Sequence, residues 1–361
     1  MKKLFRILLW VLLGINIMAV GVMVVCAYAM LLYPVTYPNW SYLGMVFPVP
    51  LLVNVGFMVL WLIVKRKYTL VPILGILICF GSLRTYFPVN LFQGEPEGRR
   101  CIKVMSYNVM QFGRVSSEEG WDENEMMQYI LNSDADLVCL QESNNITQCD
   151  GMGVLQKKYK YVQKCDAMQA PLIVASNMEI LDSENVNIVS EGNQSFAITM
   201  LMDSGDTLTV INNHLESYKL DSLDKEKYKD IFRDMTHGEN RTEIESNVDH
   251  LESKLAIANK IRAVQADTVA AYIDRCGSKY IIACGDFNDC PLSYVHHTLT
   301  RRLNDAYTRS GNGPGLSYHR SGMHFRIDNI LVSDNFTPRE AKVDKSILAS
   351  DHYPISCKLY Y

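Results

Sequence analysis

Charge is missing from one long stretch of this 361-residue chain: no Asp, Glu, Lys or Arg lies between Ile7 and Val64. That excludes a simple soluble enzyme. As one helix the 58-residue run would measure roughly 87 Å against roughly 30 Å of bilayer hydrocarbon, so it must cross more than once. Acidic residues are scarce through the first hundred positions, where only Glu95 and Glu97 stand against nine basic residues. Cys-x-x-Cys pairs are absent among the ten cysteines, which argues against a zinc site or a redox dithiol. Internal repeats and low-complexity tracts are also lacking, so a repeat architecture is excluded.

Pro34 and Pro38 break the uncharged run, giving expected spanning helices over about 7–32 and 42–64. Tyr37, Trp40 and Tyr42 in and beside the connecting loop suit a membrane interface. A third apolar stretch, about 68–87, spans only if Arg84 snorkels; otherwise it is re-entrant. A cleaved signal peptide is the competing reading of the N-terminus, but the apolar run is too long and a second span follows directly. Lys2, Lys3 and Arg6 precede the first span and Lys65, Arg66 and Lys67 follow the second. With three spans this places the C-terminal domain outside the cytoplasm; with a re-entrant third stretch it lies inside. The expected organisation is a membrane anchor over 1–90, a polar linker over 91–100 and a catalytic domain over 101–361.

Past residue 100 the balance reverses, with 26 basic and 37 acidic residues, so a broadly basic nucleic-acid-binding surface is excluded. Apolar runs recur at 102–107, 137–140, 172–175, 197–202, 208–211, 280–284, 327–332 and 353–359. Several are near-continuous Val, Ile, Leu and Cys, as expected of strands buried on both faces. Helical patterns fall at 124–131, 151–159, 224–235 and 244–275, the last with Leu251, Leu255, Ala258, Ile261, Val264, Thr268, Ala271 and Tyr272 along one stripe. The mixture predicts an α/β (α+β) domain of stacked sheets with outer helices. Cys284 with Cys290, and Cys149 with Cys165, are candidate bridges if the domain is extracytoplasmic.

Six short segments set polar groups at the ends of, or within, the apolar runs: Ser106-Tyr107-Asn108, Gln141-Glu142, Asn212-Asn213-His214-Leu215, Gly285-Asp286-Phe287-Asn288, Arg326-Ile327-Asp328 and Ser350-Asp351-His352. Each alone is ordinary turn chemistry or a solvated strand end. Taken together and in order they resemble the endonuclease/exonuclease/phosphatase superfamily of metal-dependent phosphoesterases, over about 101–361. The resemblance implies a four-layer αββα sandwich of two mixed β-sheets flanked by helices.

Carried over to these residues, the resemblance implies that Glu142, Asn108 and Asp351 hold a divalent ion, Mg²⁺ or Mn²⁺, through hard oxygen donors. Asp286 and Asn288 would face the scissile phosphate. His352 would contact it as donor or base, with Asp328 holding the ring and His214 donating to another oxygen or to the leaving group. Asn212, His319 and Arg326 are candidate substrate contacts. A Gly-x-Ala-Ile-x-Ser-Lys-like segment frequent in the family is replaced by Ala170-Pro171-Leu172-Ile173-Val174-Ala175-Ser176-Asn177, without the Gly and the Lys. Residues 218–247 look like an excursion beside the site that could shape specificity.

The expected activity is hydrolysis of a phosphodiester, a lipid headgroup or another small one, next to the bilayer. A nuclease acting on DNA or RNA is the alternative, and the −11 charge of residues 101–361 counts against it. A catalytically inactive membrane scaffold is the third reading, disfavoured because all six segments are intact.

Overall fold

The computed structural model describes residues 2–113, 115, 120–220, 223, 224, 226, 227, 241–320 and 322–361. Two of its helices are long and apolar enough to cross a membrane, Lys3–Leu31 and Leu43–Val64. The first comprises α1 (Lys2–Tyr28) and a 3-10 turn, and the second a 3-10 turn and α2 (Pro48–Val64). Polar groups inside this apolar bundle satisfy each other. Asn16 Nδ2 donates to Asn54 Oδ1 (3.1 Å), Trp61 Nε1 donates to Asn16 Oδ1 (2.9 Å), and Asn54 Nδ2 donates to the Ala19 and Pro50 carbonyls.

The third apolar stretch is broken into α3 (Leu70–Ile78) and α4 (Phe80–Tyr86), bent by 64°. The Tyr68 ring lies 6.5 Å from that of Trp10, and Ser82 Oγ donates to the Ala27 carbonyl (2.9 Å). The stretch therefore follows α1 from the level of Trp10 to that of Ala27.

The eight apolar runs are strands β1 (Cys101–Asn108), β2 (Leu137–Gln141), β4 (Leu172–Ser176), β6 (Gln194–Leu201), β7 (Thr207–His214), β8 (Tyr280–Asp286), β10 (Asp328–Val332) and β12 (Ile355–Tyr360). With β3 (Tyr161–Cys165), β5 (Glu179–Val186), β9 (Asn304–Asp305) and β11 (Thr337–Val343) they make two mixed six-stranded sheets, ordered β11-β12-β1-β2-β4-β3 and β5-β6-β7-β8-β10-β9. The eight expected strands are the interior ones. The four additional strands are the sheet edges.

Side-chain alternation along each strand builds three apolar layers. Leu137 and Cys139 of β2 face the other sheet, packing with Ile198, Val210, Ile282 and Ile330. Val138 and Leu140 face outward, onto Met126, Met127 and Ile130 of α5 (Glu125–Asn132) and Leu155 of α6 (Gly151–Gln156). On the far side, Ile211, Ala283 and Leu331 pack under Ala266, Val269, Ala270 and Ile273 of α7 (Arg241–Arg275) and Val295 and Leu299 of α8 (Tyr294–Thr300). The result is the expected αββα sandwich.

Some expectations need correction. Val264 and Ala271, assigned to the buried stripe of the long helix, are exposed, because the helix also buries the polar row Asn259, Arg262 and Gln265. The helix expected over 224–235 lies largely outside the described residues. Neither cysteine bridge forms: Cys284 is a thiol between the sheets, Cys290 packs with Leu292 against the N-terminal bundle, and Cys165 Sγ donates to Gln194.

Candidate active site

Strand register delivers the polar segments to one place. β1 and β2 run parallel with Asn108 opposite Gln141, so Glu142 emerges beside Asn108. In the facing sheet, β7 and β8 run parallel with His214 opposite Asp286, and β10 runs antiparallel with Asp328 opposite Asp286. Glu142 and Asn288 adopt left-handed backbone conformations, with φ of +52° and +51°. Such strained positions in non-glycine residues concentrate at functional sites. Gly285 is required for packing: a Cβ there would lie 2.0 Å from the Asn213 carbonyl oxygen.

Asn108 links the two sheets. Its Nδ2 donates to Glu142 Oε1 (3.0 Å) and to Asp286 Oδ2 (3.1 Å). His214 Nε2 lies 3.5 Å from Glu142 Oε1 and 3.9 Å from Asp286 Oδ2. Asp286 Oδ1 accepts from the Asn288 amide (2.8 Å), and Asn288 Nδ2 donates to the Leu215 carbonyl (2.9 Å). His352 is set between two carboxylates, with Nδ1 2.8 Å from Asp328 Oδ2 and Nε2 3.6 Å from Asp286 Oδ2. Ser350 Oγ, which donates to the Asn108 carbonyl (2.7 Å), fastens the Ser-Asp-His segment to the end of β1.

Burial and charge set the protonation of this group. Burial works against a charged His352 ring, but Asp328, Asp286 and Asp351 outweigh it and hold its pKa up at about 10. Burial, reinforced by Asp328 and opposed by the two histidines, pushes Asp286 up to about 6. At neutral pH the pair is therefore an imidazolium beside an ionised carboxylate.

A cleft of about 270 Å³ opens over these residues. Glu142, Asp286, Asn288, Asp351 and His352 form its polar floor, while Met45, Leu251, Leu255, Met323, Phe325 and Ile327 form apolar walls. Asn108, His214 and Asp328 stand behind the floor, joined to it by the contacts above.

None of the three proposed substrate contacts lines the cleft. Asn212 is fully buried between the sheets, accepting from Gln141 Nε2 (2.7 Å) and donating to the Leu140 and Ile173 carbonyls. Arg326 is buried against the Tyr307 ring and donates to the Thr85 carbonyl at the end of α4. His319 stacks on Tyr353 at 3.9 Å, with Nε2 3.0 Å from the Ser350 carbonyl.

Other contributors carry no sequence signal of their own. Tyr318 pairs with His352 in a bridge, its ring 5.2 Å away, and Ser317 Oγ accepts from the Asp328 amide. Arg262, fully buried, donates to the Glu216 carbonyl (2.6 Å), lies 3.4 Å from Asp289 Oδ2 and stacks on Tyr218. It ties the loop after His214 to the loop after Asn288.

The donor set suits a divalent cation. Glu142, Asp286, Asp328 and Asp351 converge, and among the described residues their ion pairs are with His214, His352 and, at the mouth, Arg320 3.8 Å from Asp351. Excess negative charge on hard oxygens fits Mg²⁺-type ions. Asp286, Asp328 and His352 also bring ligand atoms within 4.8 Å of one another. A protonated ring offers no lone pair, so that trio suits proton handling.

Residues 105–352 match the Endonuclease/Exonuclease/phosphatase family, and residues 6–86 match a Domain of unknown function (DUF8431). The chain is similar in fold to the human Nocturnin catalytic domain with bound sulfate anion, at 17% identity over 74% of this chain and 100% of that one, TM-score 0.50. It is similar also to an endonuclease/exonuclease/phosphatase family protein from Bacteroides thetaiotaomicron (15% identity, 73% and 98% covered, TM-score 0.50). A third is an endonuclease/exonuclease/phosphatase from Beutenbergia cavernae (14% identity, 73% and 72% covered, TM-score 0.50). None of the curated protein sequences matches the chain. Since the family match covers more than half of its length, this chain belongs to the endonuclease/exonuclease/phosphatase family of metal-dependent hydrolases of phosphoester bonds.

Proposed function

We propose that the protein is a membrane-anchored phosphodiesterase that hydrolyses a lipid headgroup, or another small phosphodiester held at the bilayer surface. Residues 1–90 are its anchor, 91–100 its linker and 101–361 its catalytic domain. The observation that carries this reading is Met45. It belongs to the 3-10 turn Leu43–Val46 that opens the second apolar helix, yet it lines the same cleft as Glu142, Asp286 and His352. The chemistry is thereby held at interface level. The bundle supports an extracytoplasmic catalytic domain: Lys2, Lys3, Arg6 and Lys65, Arg66, Lys67 lie at one end, while Ser41, Tyr42 and Thr85 meet the catalytic domain at the other. Basic ends favour the cytoplasmic side.

Glu142, Asn108 and Asp351 would hold Mg²⁺, with Mn²⁺ as a substitute. When bound, the ion neutralises a phosphoryl oxygen as a Lewis acid. Asp286, ionised above about pH 6, orients the attacking water and takes its proton as the water oxygen bonds to phosphorus. His352, protonated, donates from Nε2 to the phosphate, which favours the pentacoordinate transition state. Asn288 has a second amide hydrogen besides the one given to Leu215, available to a phosphoryl oxygen. His214 donates to the remaining oxygen or to the leaving group as its P–O bond breaks.

The test uses the full chain in mixed micelles, with Mg²⁺ or chelator, on a choline phospholipid and on plasmid DNA. Metal-dependent lipid cleavage, reduced at least about 100-fold in Glu142→Ala and His352→Ala, is expected. Nicking of the plasmid with the lipid untouched would replace this reading with a nuclease. A cytoplasm-only reporter fused after residue 95 is expected to stay dark.

A further inference from the structure

The anchor contributes more to the cleft than proximity. Three contacts just ahead of Met45 fix its segment on the catalytic domain. Ser41 Oγ accepts from Asn259 Nδ2 (2.9 Å), and Tyr42 Oη donates to Glu252 Oε1 (2.6 Å), both on the long helix. Gly44 lies flat on the loop that follows Asn288: a Cβ there would fall 2.1 Å from the Leu292 carbonyl oxygen, so no other residue permits this approach. Asn259 in turn accepts from Arg262, the buried cation that binds the Glu216 carbonyl and Asp289. The anchor segment and both catalytic loops are thus one hydrogen-bonded unit.

Besides Met45, the apolar lining of the cleft comes from Leu251 and Leu255 of the long helix and from Met323 and Phe325, ahead of Asp328. None of these side chains can recognise a phosphate. They share the cleft with the carboxylates Glu142, Asp286 and Asp351.

We infer that Met45 is a specificity-determining residue donated by the anchor, which with Leu251, Leu255, Met323 and Phe325 grips the apolar portion of a phosphodiester next to the scissile phosphate. This deepens the lipid reading and rests on it. This apolar lining is continuous with the membrane bundle, since Met45 also packs against the cluster of Phe47, Leu51, Cys290 and Leu292. On this reading an alkyl chain leaving the bilayer beside α2 enters the cleft past Met45. Met is suited to such a contact because its flexible, polarizable side chain adapts to an alkyl chain.

The experiment measures kcat and KM of the full-length protein in detergent micelles on two 4-nitrophenyl phosphodiesters that differ only in the second ester group, methyl or dodecyl. Wild type is expected to prefer the dodecyl ester. Met45→Ser is expected to cut the dodecyl-to-methyl ratio of kcat/KM about tenfold, the low end of what one apolar contact contributes to specificity. The loss should appear in KM for the dodecyl ester, and Met45→Leu should retain the preference. Partitioning into micelles is common to all chains and cancels in the comparison. A preference that survives Met45→Ser overturns this inference and leaves the lipid reading standing. A wild type that cleaves the methyl ester as well as the dodecyl ester overturns both.

Discussion

Nδ1 of His352 lies 2.8 Å from Asp328 Oδ2, and both groups are buried. The ring's pKa is raised to about 10 against burial by Asp328, Asp286 and Asp351. A histidine whose folded pKa exceeds its unfolded value stabilises the fold fully below the unfolded value, about 6.5, and loses that contribution as pH rises through the folded one. Asp328→Asn is therefore expected to destabilise the protein by about 3–5 kcal/mol at pH 6. The difference should shrink as the pH approaches 10. Unfolding of both chains in detergent at the two pH values checks this; an equal loss at each would mean that the ring is not charged in the native protein.

Asn212 joins the sheets rather than the substrate. Asn212→Leu removes the acceptor of Gln141 Nε2 and the donor to the Leu140 and Ile173 carbonyls. Leaving buried groups unpaired costs about 1–3 kcal/mol each, so a clear fall in Tm is expected with KM of the remaining folded enzyme little changed. A raised KM at unchanged Tm would restore Asn212 to the substrate site.

Arg262 is expected to be the most sensitive position outside the cleft. Its guanidinium serves the Glu216 carbonyl, Asn259 and Asp289 at once. Burial pushes Asp289 up and Arg262 opposes that shift, so Arg262→Ala leaves a buried carboxylate unpaired, at a cost of about 3–5 kcal/mol. Arg262→Lys should not rescue it, because a point charge cannot span the three partners of a planar fork. Thermal unfolding and kcat of the two variants test this together, and wild-type stability in Arg262→Lys would show that the charge alone suffices.

How far the fold could be read ahead depended on burial. The eight strands evident in the sequence are the interior ones, covered on both faces and hence written as unbroken apolar runs. Edge strands such as β5, Glu179–Val186, have largely exposed side chains and carry Glu179, Asp182 and Glu184, so no apolar run announces them. The site was legible through strand ends: Asn108, Glu142, His214, Asp286 and Asp328 follow directly from which run each residue terminates or begins. Asn212, Arg326 and His319 share segments or neighbourhoods with those residues, but none of them lines the cleft. Sequence adjacency says nothing of that: Asn212 and His214 are two residues apart and share a face of β7, and only depth along the strand leaves Asn212 between the sheets and His214 at their edge.

What the sequence by itself determined is the chemistry: apolar helices at one end of the chain, and carboxylates, amides and histidines at the ends of buried strands. Periodicity and composition are local properties, and they are sufficient for that much. Only the tertiary structure decided that Met45 lines the cleft with Asp286, that Arg262 ties two loops to the long helix, and that Arg326 meets the anchor at Thr85. Those contacts join residues far apart in the chain, 241 positions in the case of Thr85 with Arg326. Their geometry follows from how the bundle and the sandwich pack together, which no local pattern encodes.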